Sequence, residues 1–132
     1  MNKKFSSRIC TTKEQSGRLL GLGLRKETAD CHYEGRKNRY EEWEVAVIGG
    51  CYYSYDFPAW SLHRLIEMMP NMLQNLYQLD FSKRGVYYAD FSNGSYNIIE
   101  CFTNRDISLY DNIIDCIEWL IKQGYFNKEY LN

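Results

Sequence analysis

Few residues of this 132-residue chain have the types and spacing that chemistry requires. Cys51 follows Gly49-Gly50 at the end of a strand-like segment, where backbone N–H groups would stabilise an anion, and His63 opens a nearby helix. A thiolate beside a base is what a cysteine-dependent hydrolase needs. No other pattern supports that pairing, and Cys51 serves as well as a small apolar side chain. His63 also stands one turn before Glu67, an i,i+4 surface pair that needs no catalytic role. Cys31 and His32 are adjacent, so in a strand their side chains diverge and do not easily share a metal. The glycines of Gly21-Leu22-Gly23-Leu24-Arg25-Lys26 follow a helix, where a phosphate loop would follow a strand, so they mark helix termination. No catalytic residue, metal ligand or cofactor is assigned, and the chain is read as non-enzymatic.

Fixed charge is the stronger signal. Residues 1–39 hold ten of the sixteen Lys and Arg against four acids, a balance of +6, whereas residues 40–132 carry six cations and thirteen acids, a balance of −7. Arg25, Lys26, Arg36, Lys37, Arg39 and Tyr40 form the candidate contact set for a partner or a nucleic acid. Glu41, Glu42 and Glu44 would oppose a phosphate backbone there, and no helix-turn-helix, zinc-finger or RNA-binding strand signature accompanies the cations. The basic part is therefore expected to meet the acidic part within the fold or across a dimer. Twelve tyrosines exceed what a core of this size consumes, and a tyrosine suits a half-buried surface that touches something.

These groups need elements to position them. Thr11-Thr12-Lys13-Glu14-Gln15 offers two overlapping capping boxes, so a helix should start there and end at Gly21 and Gly23, with a short further turn over 25–30. Tyr40 to Ile48 alternates as a strand does. Ser61 can cap a helix that Pro70 ends, and Ser108 can cap a last helix that runs to Gln123 with Gly124 as its left-handed exit.

Leu76 to Phe102 reads as three antiparallel strands. Asn93-Gly94 suits a two-residue turn with Ser92 facing Ser95, and Lys83-Arg84-Gly85 suits a three-residue loop with a left-handed Gly85, so that Ser82 faces Val86. Those two turns put Tyr77, Leu79, Phe81, Tyr87, Ala89, Phe91, Tyr96 and Ile98 on one apolar face, with Glu100 intruding. The expected fold is a single α+β domain over 1–132, with loosely ordered ends at 1–10 and 126–132. Its order is α-β-α-β-β-β-α: an antiparallel sheet with a three-stranded meander, and helices packed on its apolar face.

Composition agrees with such a domain, with 45% hydrophobic and 25% charged residues. The first nine residues lack the apolar stretch of a signal peptide, and no run approaches eighteen apolar residues. An odd number of scattered cysteines reads as reduced thiols, hence a cytoplasmic protein with no membrane contact.

Thr12-Lys13-Glu14-Gln15-Ser16 with Leu19-Leu20-Gly21-Leu22-Gly23-Leu24, then Glu27-Thr28-Ala29-Asp30, Pro58-Ala59-Trp60-Ser61-Leu62 and Cys116-Ile117-Glu118-Trp119-Leu120-Ile121-Lys122-Gln123-Gly124-Tyr125 together resemble uncharacterised small proteins of prophages and mobile elements of gut bacteria. The resemblance spans most of the chain and supplies no catalytic residue. It implies an intracellular accessory protein that binds a macromolecular partner or itself, with a nucleic-acid-binding module as the alternative and a cysteine-dependent hydrolase as a third reading.

Overall fold

The computed structural model describes residues 8–34, 46–50, 56–92, 94 and 96–132. Its order is α1 (Lys13–Gly21), β1 (Cys31–Tyr33), β2 (Ala46–Ile48), β3 (Phe57–Ala59), α2 (Leu62–Met68), β4 (Met72–Leu73), β5 (Tyr77–Phe81), β6 (Val86–Asp90), β7 (Asn97–Phe102) and α3 (Leu109–Gln123). Short 3-10 turns add Lys26–Thr28 and Lys128–Tyr130. The α+β class is as expected, but the strands form two antiparallel sheets, ordered β2-β1-β3 and β4-β5-β6-β7. β1, β3 and β4 are additions to the predicted order, and of the strand expected over 40–48 only 46–48 falls within the described residues. Pro58 is tolerated in β3 because that strand lies at a sheet edge and owes no second ladder bond.

Helix starts follow their caps. Thr12 and Gln15 close a reciprocal capping box at 3.0 Å each way. Thr11 goes elsewhere: buried, it shares a 2.7 Å hydrogen bond with the Ser16 hydroxyl and accepts the Trp60 N–H at 3.1 Å. Ser61 and Ser108 accept from Arg64 N and Asp111 N, both at 3.1 Å, and Gly124 leaves α3 at φ 77°.

Trp60, fully buried just after β3, packs in the larger core and ties the segments before and after α1 together. Its indole N–H donates to the Thr28 hydroxyl at 2.9 Å and its carbonyl accepts from Thr11 N at 2.9 Å. The larger core packs Leu65 of α2 and Ile113, Ile117 and Leu120 of α3 against the four-stranded sheet, and a smaller cluster gathers Cys10, Cys31, Tyr33 and Ala59. The C-terminal residues, expected to be loose, pack closely: Phe126 is buried, Leu131 bridges Leu24, and Asn132 N donates to Gly23 O at 2.8 Å.

The meander departs from expectation by one residue. Ser82 N donates to Gly85 O at 2.9 Å and Phe81 pairs with Val86, so the loop holds two residues, Lys83 and Arg84, and Ser82 faces Gly85. Gly85 is not in the left-handed region. A Cβ there would overlap the carbonyl oxygen of Phe102, so close backbone approach is what requires glycine. Since side chains alternate, the slip turns β5 over relative to β6. Leu79 now shares the core face with Val86 and Tyr88, both fully buried, and Tyr87 shares the opposite face with Asp80. The second turn keeps its expected register in the pairs Asp90↔Asn97 and Ala89↔Ile98, with Gly94 at φ 66°; Asn93 and Ser95 lie outside the described residues. A bulge between Tyr88 and Ala89 then sets Tyr88 opposite Glu100, which explains how Glu100 reaches the core side without displacing a core residue.

Two outcomes test this arrangement. Ile117→Ala, removing fully buried methyl groups, should cost about 2–5 kcal/mol in denaturant melts. Gly85→Ala should cost about 1–3 kcal/mol or more through overpacking against Phe102. A near-neutral Gly85→Ala would show that the β6–β7 approach is looser than described.

Candidate functional site

The outer face of the four-stranded sheet follows from that register. Met72, Gln78, Asp80, Tyr87, Ala89, Ile98 and Cys101 alternate onto it, and the same register carries Phe91 and Tyr96 beyond the strand ends. Aromatic rings gather at one end. Tyr96 stands edge-on to Phe91 with centroids 5.1 Å apart and edge-on to Tyr87 at 5.8 Å, the geometry favoured by ring quadrupoles. Tyr96 is 51% exposed, Ile98 46% and Phe91 41%, although each belongs to a structured hairpin. The Tyr87 hydroxyl donates to the Asp80 carboxylate at 3.1 Å. The Tyr96 hydroxyl, desolvation and Asp80, in that order, hold its proton well above the ordinary phenol range. Tyr87 is thereby fixed as a donor beside two rings that face water.

Phe91 was expected beside Leu79 on the face that α2 and α3 cover. The grouping of Tyr87, Ala89, Phe91, Tyr96 and Ile98 is as read from the sequence, but it is the face turned away from the helices, with Ala89 covered and Phe91, Tyr96 and Ile98 exposed, because Val86 and Tyr88 take the core instead. The Tyr88 hydroxyl stays satisfied there, donating to Pro70 O at 2.7 Å, so a large polar-tipped ring can be buried at no hydrogen-bonding loss.

Of the basic candidates, Arg36, Lys37, Arg39 and Tyr40 lie outside the described residues. Arg25 and Lys26 sit at the 3-10 turn that follows α1, where Arg25 N donates to Tyr130 O at 2.8 Å and the Arg25 guanidinium lies 3.6 Å from the Glu27 carboxylate. Part of the basic excess does meet the acidic remainder inside the fold. Arg18 reaches Asp115 at 2.6 Å and Glu118 at 3.1 Å, and Gln15 Nε2 donates to Asp111 at 3.0 Å, tying α1 along the acidic side of α3.

The nucleophile pairing has no described geometry, because Cys51 lies outside the described residues. His63 has 84% of its side chain exposed and lies 3.8 Å from Glu67, the i,i+4 contact expected. Cys31 is buried while His32 uses Nδ1 toward Gly49 O at 2.9 Å, so the two side chains diverge as predicted. Cys10, Cys31, Cys101 and Cys116 are free thiols, of which Cys101 is exposed. Among the described residues no helix is long and apolar enough to cross a membrane.

No protein-family model, curated protein or solved structure matches this chain.

Burial, aided by Glu100 and Asp115, pushes the Cys116 thiol up from 9.0 to about 12. A group whose folded-state value is raised contributes its full stability below the unfolded value and loses it as pH rises toward the folded one. Urea melts should therefore show stability falling between pH 9 and about 12, with a shallower fall in Cys116→Ala. An unchanged slope in the variant would mean that this thiol ionises as easily in the fold as out of it.

Proposed function

We propose that this chain is a non-enzymatic accessory protein that binds a protein partner through the outer face of its four-stranded sheet. The observation that carries the reading is the cluster of exposed Phe91, Tyr96 and Ile98 around half-buried Tyr87, an aromatic and aliphatic surface on the β6–β7 hairpin. Rings held by a sheet offer large contact area at little cost in side-chain entropy, which is why aromatic residues anchor protein interfaces. The resemblance to small prophage and mobile-element proteins suits an intracellular accessory role, and reduced thiols suit the cytoplasm. A nucleic-acid module remains the alternative through the basic residues of the N-terminal third. The aromatic face favours a protein, because no cation lies among the residues that alternate onto it.

Photo-crosslinking from position 96 of the full chain inside cells should yield a protein adduct. Phe91→Ser with Ile98→Lys should remove that adduct while changing stability by less than about 0.5 kcal/mol per site, as expected at exposed positions. An adduct of twice the chain mass would assign the partner to a second copy. Crosslinks to nucleic acid alone, or no adduct at all, would overturn the reading.

A further inference from the structure

Residues 40–132 are strongly acidic and hold only six cations, yet three of these, Lys83, Arg84 and Arg105, line one cavity of about 280 Å³. Asn104, Ile107 and Leu109 complete the wall. Elsewhere in this part of the chain Arg64 lies by Glu67 and Lys122 by Glu118. Lys83, Arg84 and Arg105 form no ion pair among the described residues. Three like charges around one cavity without a counter-charge repel one another, and an anion placed in that cavity relieves the repulsion.

The backbone beneath these cations is held firmly. Asn112, 1% exposed, donates from Nδ2 to Arg84 O at 2.6 Å and to Asn104 O at 3.0 Å, and its Oδ1 accepts Asn104 N at 3.1 Å. One side chain thus clamps the β5–β6 turn to the loop between β7 and α3, and the Gly85–Phe102 approach fixes the same pair of segments from the strand side. Nearby acids do not fill the cavity's need. The Asp111 carboxylate accepts from Gln15 and from the Ser108 hydroxyl, and Asp106 is exposed beside Arg105 without pairing to it.

We propose that the Lys83, Arg84 and Arg105 cavity binds the phosphate of a small phosphomonoester, with Ile107 and Leu109 against its organic part. Guanidinium forks match phosphate oxygens in pairs, and a dianion satisfies more of three cations than a single negative charge does. At about 280 Å³ the cavity lies just below the usual range for ligand pockets, about 300–1,000 Å³, which suits a small, singly phosphorylated metabolite. A nucleic-acid strand calls for cations that track a backbone with stacking rings between them, and these three are gathered at one spot. The assignment is independent of the aromatic face, which lies on other residues.

Amide chemical-shift titration of the full chain with adenosine 5′-monophosphate tests this. Saturable shifts are expected at residues 83–85 and 104–109, with adenosine giving none. Arg84→Gln with Arg105→Gln should weaken the monophosphate by at least about tenfold with an unchanged thermal melt, since both side chains are exposed, and Lys83→Gln alone should weaken it measurably. Absence of saturable shifts at millimolar monophosphate would overturn the proposal, as would shifts insensitive to these substitutions. Tighter binding of an oligothymidylate at the same residues in physiological salt would also overturn it, and would reassign the surface to a phosphodiester polymer.

Discussion

The approach of the Gly85 backbone to the carbonyl of Phe102 sets the register on which most of this molecule depends. With no side chain at position 85, β6 can lie against the end of β7 while the turn before it closes in two residues. That choice sends Val86 and Tyr88 into the core beneath α3, where Tyr88 and Phe102 both stack near Trp119, at 6.2 Å and 6.0 Å between centroids. It also leaves Tyr87 half-buried and Phe91 and Tyr96 exposed on the opposite face. A single steric requirement therefore decides which aromatic residues build the protein and which remain available to touch another molecule.

Polar side chains do the corresponding work where elements meet. Asn112 satisfies two carbonyls and one N–H of the Arg84 and Asn104 loops, and Thr28 and Thr11 satisfy the two N–H groups of buried Trp60. Trp60 is fully buried, so removing Thr11 or Thr28 leaves its N–H groups both desolvated and unpaired, which costs more than the bond itself contributes. These bonds tie the segment after β3 to the segments before and after α1, and the β5–β6 turn to the loop before α3.

The two proposed contact surfaces differ in chemistry. The outer sheet face is aromatic and aliphatic, with its one acid, Asp80, engaged by Tyr87, and the proposed partner there is a protein. The cavity of Lys83, Arg84 and Arg105 is small and cationic, and fits a compact anion. Both issue from the β5–β6–β7 meander.

Local signals in the chain determined the helices and one turn. Thr12 with Gln15, Ser61, Ser108, Pro70 and Gly124 act through backbone groups within a few residues, so their effects can be read without knowing what packs nearby. The Asn93-Gly94 register near its turn was legible for the same reason. The β5–β6 register was not, because Lys83-Arg84-Gly85 admits two loop lengths and the choice rests on Phe102, seventeen positions after Gly85, together with Asn112. The hairpin from β4 to β5 was hidden too: its turn places Gln74 and Asn75 at φ 52° and 55°, with no glycine to announce positive φ. The cation cavity joins residues about twenty positions apart that look like scattered surface charges in one dimension. Alternation along a strand shows which side chains share a face, but whether that face meets a helix or water is decided by long-range packing, and only the tertiary structure supplies it.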